Sequence, residues 1–141
     1  MTAKQLALRG NIFGTIGGIF LLRDSIANLI AAKSLVAEGY TEKSFLLIYM
    51  TGLIIGMLVL TVVQVLTWIA YTKIGKSTER RWQLFLLIIG ILLIIEALFG
   101  LMLTVLTAGF LSALLGNLLH IIQSIFFILT FALKDKNVAR N

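Results

Sequence analysis

The sequence predicts an all-α integral membrane protein: one domain over residues 1–141, with four transmembrane helices in an up-down antiparallel bundle and both termini cytoplasmic. Three observations carry this. Hydrophobic residues make up 60% of the chain and charged residues 13%, where a soluble domain carries about 25% charged. Four apolar stretches each reach the length of about 20 helical residues that a bilayer requires. Lys and Arg are unevenly shared between the segments joining those stretches, which sets orientation. The composition excludes a soluble globule, a disordered tail and a nucleic-acid-binding arm. The net charge of +6 is therefore read as loop charge, with the lipid bilayer rather than nucleic acid as partner.

The first stretch covers about 10–32 and contains Arg23 and Asp24. Lys4, Arg9 and the apolar run from Ile12 to Leu22 look like a signal peptide, but Arg23-Asp24 stands where small cleavage-site residues belong. The segment is therefore expected to stay as a helix. A second frame has it span 5–22, which takes Arg23 and Asp24 to the outer headgroups and leaves 25–37 as an interfacial helix. The second stretch covers 44–71, the third 82–106 and the fourth 110–133, with a tight turn at Thr107, Ala108 and Gly109 before the last. None alternates strictly between polar and apolar, so spanning helices are expected rather than barrel strands. Proline and cysteine are absent, which removes disulfides and thiolate metal sites. No internal repeat or low-complexity linker divides the chain.

Nine Lys and Arg fall on the side of the termini and the second loop: Lys4, Arg9, Lys73, Lys76, Arg80, Arg81, Lys134, Lys136 and Arg140. Two, Lys33 and Lys43, fall on the other. That bias puts the termini inside and argues against a dual-topology dimer. Trp68, Tyr71 and Trp82 flank the inner loop, and Tyr40, Phe45 and Tyr49 lie near the outer boundary, as aromatic belts do.

Polar residues inside the apolar stretches are the candidate site: Arg23, Asp24 and Asn28 on the first helix, Glu96 on the third, and Asn117, His120 and Gln123 on the fourth. An ionisable group at the bilayer centre costs at least about 2.5–3.5 kcal/mol, so such groups face one another or water. Counting helical rise puts Arg23, Glu96 and Asn117 each about 20 Å from the cytoplasmic face, with His120 a turn closer to it. Arg23 and Glu96 are thus expected at one level, as a structural ion pair or as a functional site. Gln64 is expected at the cytoplasmic interface. Helical phase sets Gly10, Gly14, Gly17, Asp24 and Asn28 on one face of the first helix, with Arg23 turned away. It also lines up Gly109, Ser112, Gly116, Asn117, His120, Gln123 and Ser124 on the fourth, and Glu96, Gly100, Thr104 and Thr107 on the third. Gly10, Gly14 and Gly18, Gly52 and Gly56, and Gly116 are the small residues expected at helix contacts.

No GxSxG elbow, phosphate-binding Gly loop or HExxH motif occurs. With one His and no Cys, zinc and Cys-His chemistry lack ligands; no enzyme activity, cofactor or metal is expected. Two classes stay open. One is an oligomeric transporter or channel in the cell (inner or plasma) membrane, using the intramembrane polar site. The other is a non-transporting accessory, regulatory or immunity subunit bound to a larger membrane protein. The Ile-, Leu- and Lys-rich composition suggests an AT-rich bacterial source and favours neither.

Overall fold

The computed structural model describes residues 1–39, 43–106 and 111–133, at 35 and 36 by backbone alone. Outside the described residues lie the turn at Thr107, Ala108 and Gly109, Tyr40 of the aromatic belt, Phe110, Lys134, Lys136 and Arg140. The described chain is four helices: α1 (Ala3–Ala37), α2 (Lys43–Lys73), α3 (Glu79–Leu106) and α4 (Leu111–Ala132). Each is long and apolar enough to cross a membrane.

Local chemistry explains the helix ends. α1 starts seven residues before the apolar stretch because Thr2 and Gln5 form a capping box. The Gln5 N–H donates to Thr2 Oγ1 at 3.2 Å, and the Thr2 N–H donates to Gln5 Oε1 at 2.9 Å; both satisfy orphan donors of the first turn. Gly39, at φ +81°, follows the end of α1, and Gly75, at φ +89°, follows the end of α2. Left-handed backbone of this kind ends helices and favours glycine. The Gly75 N–H is held by Glu79 Oε2 at 2.9 Å, which draws the start of α3 back over the turn. Arg80 then reaches the end of α4, donating to the Phe131 carbonyl at 3.1 Å with its guanidinium 3.8 Å from the Phe131 ring centroid. A cation is favourable at that negative helix end.

α4 is the hub, packing along both α1 and α3, while α2 touches α1 and α3 more lightly. No described Cα pair comes within 8 Å between α1 and α3 or between α2 and α4. The helices are therefore neighbours in chain order around a ring. Apolar core residues gather at the end holding the N-terminus and the α2–α3 turn: Ala7, Ala70, Ile74, Leu86, Leu93 and Phe127. Away from that end α2 separates from its neighbours, and residues 43–66 include no buried side chain. Leu47, Ile48, Ile55, Leu58 and Val62 are among the many large apolar groups left exposed, a surface suited to hydrocarbon rather than water.

Glycines set the close approach of α4. A Cβ on Gly17 would stand 3.0 Å from the Gly116 carbonyl oxygen, and one on Gly116 would stand 3.1 Å from that of Gly17. Gly10 faces the Phe127 ring, Gly14 faces the Gln123 amide, and Gly90 on α3 faces the Ser124 carbonyl. Numbers rise along α1 as they fall along α4 in these pairs. Of the Gly10–Gly14–Gly18 spacing, the last member is replaced at the seam by Gly17. Gly18, Gly52 and Gly56 have nothing within 4 Å of an added Cβ.

Adjacent glycines give a clean test, because Gly17→Val and Gly18→Val change intrinsic helix propensity equally. Gly17→Val should destabilise the fold by about 1–3 kcal/mol through overpacking. Gly18→Val should sit near the parent in detergent thermal unfolding.

Candidate functional site

α4 carries a polar stripe through the middle of the bundle, and between them its members reach α1, α2 and α3. Ser112, Asn117, His120, Gln123 and Ser124 are all buried. Ser112, Gly116, His120 and Ser124 recur at four-residue steps and Asn117, His120 and Gln123 at three-residue steps, so one helix face presents them to the rest of the bundle.

At the level of Gly14, a side-chain network ties three helices together. Gln123 Nε2 donates to Gln64 Oε1 at 3.1 Å. Gln64 Nε2 donates to the Asn11 carbonyl at 3.2 Å and to Thr15 Oγ1 at 3.1 Å. Trp68 Nε1 also donates to Thr15 Oγ1, at 3.1 Å, and Asn11 Nδ2 donates to the Thr67 carbonyl at 3.1 Å. Gln64 is therefore an interior bridge, not the interfacial residue that counting turns implied. Its long side chain reaches across the bundle toward α4, and the missing Cβ of Gly14 leaves room for the Gln123 amide beneath it. Trp68 likewise turns its N–H inward instead of to headgroups.

One turn further along α4 lies the ionisable pair. His120 Nδ1 is 3.6 Å from Glu96 Oε2. The imidazole is fully buried, and neither ring nitrogen has a hydrogen-bond partner. At 3.6 Å the two groups are an ion pair in waiting rather than a hydrogen bond. They attract strongly only when the ring is protonated and the carboxylate charged. The Glu96 side chain is 52% exposed and lines a groove of about 400 Å³ between α2 and α3. Chemically, the pair can take up and release a proton, with one member sealed inside and the other open to the groove.

The third polar contact lies two turns beyond His120, where Ser112 Oγ donates to Asp24 Oδ1. Asp24 is 6% exposed, and its Oδ2 is without a partner. Arg23, one residue earlier, points outward and is exposed. Asn28 is half-buried further along α1. Asn117 donates to the Ala113 carbonyl of its own helix at 2.9 Å and lies against Gly100, so it packs α4 on α3 rather than binding Glu96.

The expected level of Arg23, Glu96 and Asn117 is thus corrected. On α1, the residue opposite His120 is Gly17, and Asp24 meets Ser112 instead. Eight residues separate His120 from Ser112 on α4, roughly 12 Å at helical rise. The count failed because α1 starts at Ala3, and because its register against α4 is set by glycine contacts. Glu96 pairs with His120, not with Arg23.

Sequence reasoning passed over Asn11 and Thr15. Their signal was present: both lie within the first glycine-rich turns at i and i+4, and Gln64 and Trp68 repeat that spacing on α2. Among the described residues no three His, Asp or Glu side chains gather to ligate a metal. Comparison with protein-family models, with curated proteins and with solved structures finds no match for this chain.

Double-mutant cycles test whether Glu96 is coupled to Arg23 and whether Gln64 is coupled to Gln123. Arg23→Met and Glu96→Gln should add within about 0.5 kcal/mol, as independent sites do. Gln64→Leu and Gln123→Leu should show a coupling of about 0.6–1.7 kcal/mol, the range for interhelical hydrogen bonds in membranes. Equilibrium unfolding in mixed micelles measures both.

Proposed function

We propose that this chain is a small oligomeric transporter or channel of the cell membrane, in which Glu96 and His120 carry a proton or a cation. One observation supports this above the others. A carboxylate half-open to an apolar groove is backed at 3.6 Å by a sealed imidazole that makes no hydrogen bonds. A structural pair would be expected to use up its donors and acceptors, because unsatisfied polar atoms in a low-dielectric interior are costly. A pair that exchanges a proton or a cation must leave them free in part of its cycle. By contrast, Gln64, Gln123, Thr15 and Trp68 are tied to one another by side-chain hydrogen bonds, with Gln123 Oε1 and Asn11 Oδ1 left unpaired, and this network reads as structural glue.

Within this reading the bundle is up-down and antiparallel, and both termini and the α2–α3 turn face the cytoplasm, following the charge bias. Four helices with α2 standing apart enclose no pathway alone, which is why a second copy is part of the proposal. No catalytic role is included. The alternative of an accessory subunit draws on a different observation, the outer two thirds of α2. Its unburied apolar face would suit a helix of a larger membrane partner.

Flux in proteoliposomes under an imposed proton gradient tests the primary reading. Glu96→Gln should abolish coupled flux while leaving the melting temperature within about 2 °C of the parent, a shift well under 1 kcal/mol. Flux equal to the parent in Glu96→Gln would sink it, and stoichiometric co-purification with one larger membrane protein, without flux, would favour the accessory role.

Topology has its own test, since the chain has no cysteine. In intact cells an impermeant thiol reagent should label Glu38→Cys and spare Ser77→Cys. The reverse pattern would invert the orientation.

A further inference from the structure

The groove beside Glu96 has a composition that specifies its ligand. Val59, Leu60 and Val63 of α2 face Ile89, Leu92 and Leu93 of α3 across about 400 Å³. That volume falls within the range of about 300–1,000 Å³ found for small-molecule sites. The wall is aliphatic, and Glu96 is the charged residue in its lining; neither Lys nor Arg contributes. Gly56 completes the α2 side, and nothing lies within 4 Å of where its Cβ would be, so the mouth is kept wide by a missing side chain.

A carboxylate in such surroundings is costly until neutralised. A small metal cation would have to replace its hydration shell with several oxygen ligands, and the groove offers the Glu96 carboxylate without further carboxylate, hydroxyl or amide groups. A cation that carries its own apolar substituents needs no such shell. Its apolar body is accommodated by six aliphatic side chains, and its charge is complemented by Glu96, which lipid alone cannot do. His120 sits behind the carboxylate at 3.6 Å, sealed from the groove, and so does not block the mouth.

The geometry points to the α2–α3 groove as a binding site for a lipophilic organic monocation, with the charge at Glu96 and the apolar body between Val59 and Leu92. This rests on the transport reading for its purpose, but binding itself is tested without flux. Purified full-length protein in detergent is titrated with radiolabelled tetraphenylphosphonium by equilibrium dialysis. Saturable binding is expected, weakened at least about tenfold by Glu96→Gln, because the charge loses its partner. Nothing lies within 4 Å of a Cβ added at Gly56, so Gly56→Leu extends into the open side of the groove. It should reduce binding similarly while keeping the parent melting temperature. The neutral compound triphenylphosphine oxide should fail to compete.

Absent saturable binding, equal binding by Glu96→Gln, or equal competition by the neutral compound would each overturn the assignment. Full binding by a folded Gly56→Leu would overturn it too, by moving the ligand out of this groove. The two readings fail separately. Binding without coupled flux keeps the groove assignment and removes transport; coupled proton flux without tetraphenylphosphonium binding does the opposite.

Discussion

The rest of this structure depends on one backbone-to-backbone approach, the crossing of α1 and α4 at Gly17 and Gly116. Each glycine stands where a Cβ would press on the other's carbonyl oxygen, at 3.0 and 3.1 Å. Inside a bilayer there is little hydrophobic force between helices, so association relies on close packing and polar contacts. Two glycines facing one another provide the closest packing available. The crossing also fixes register: with Gly17 against Gly116, Gly14 opens over Gln123, and Asp24 arrives at Ser112.

From that register follows a division of labour along α4. Toward the α2–α3 turn, Gln123 joins a network that uses hydrogen bonds from three helices and lies next to the packed core of Ala70, Leu86 and Phe127. One turn away, His120 has no hydrogen bond from its ring and a single carboxylate at ion-pair distance. Two turns further, Asp24 has one hydroxyl for one of its two oxygens. Unpaired polar atoms occur along the whole stripe, since Asn11 Oδ1 and Gln123 Oε1 at the packed end also have no partner. What sets His120 apart is that neither of its ring nitrogens is bonded.

α2 has the opposite character to α4. Its last turns are pinned by Thr67, Trp68 and Ala70, while residues 43–66 bury nothing. The gaps on either side of it, one against α1 and one against α3, are lined by apolar groups apart from Thr15, Thr61, Gln64, Trp68 and Glu96. A helix whose buried side chains lie only in its last turns leaves grooves that a ligand, a lipid or another copy can fill without unfolding the bundle.

Composition and apolar length alone determined that the chain forms four helices long and apolar enough to cross a membrane, because hydrocarbon permits few other spanning structures. Helical phase alone placed Gly10, Gly14 and Gly17 on one face, and the polar stripe of α4 on another, because side-chain direction follows from 100° per residue. Only the tertiary structure decided which polar groups meet. Depth counted along each helix carried an error from the unknown start of α1, and that error was enough to set Arg23 beside Glu96. The glutamines were beyond reach for a related reason: Gln64 and Gln123 are 59 residues apart, and their meeting depends on room left by a glycine on a third helix. Phase is a local property of the chain, whereas register between helices is set by contacts that no single segment contains.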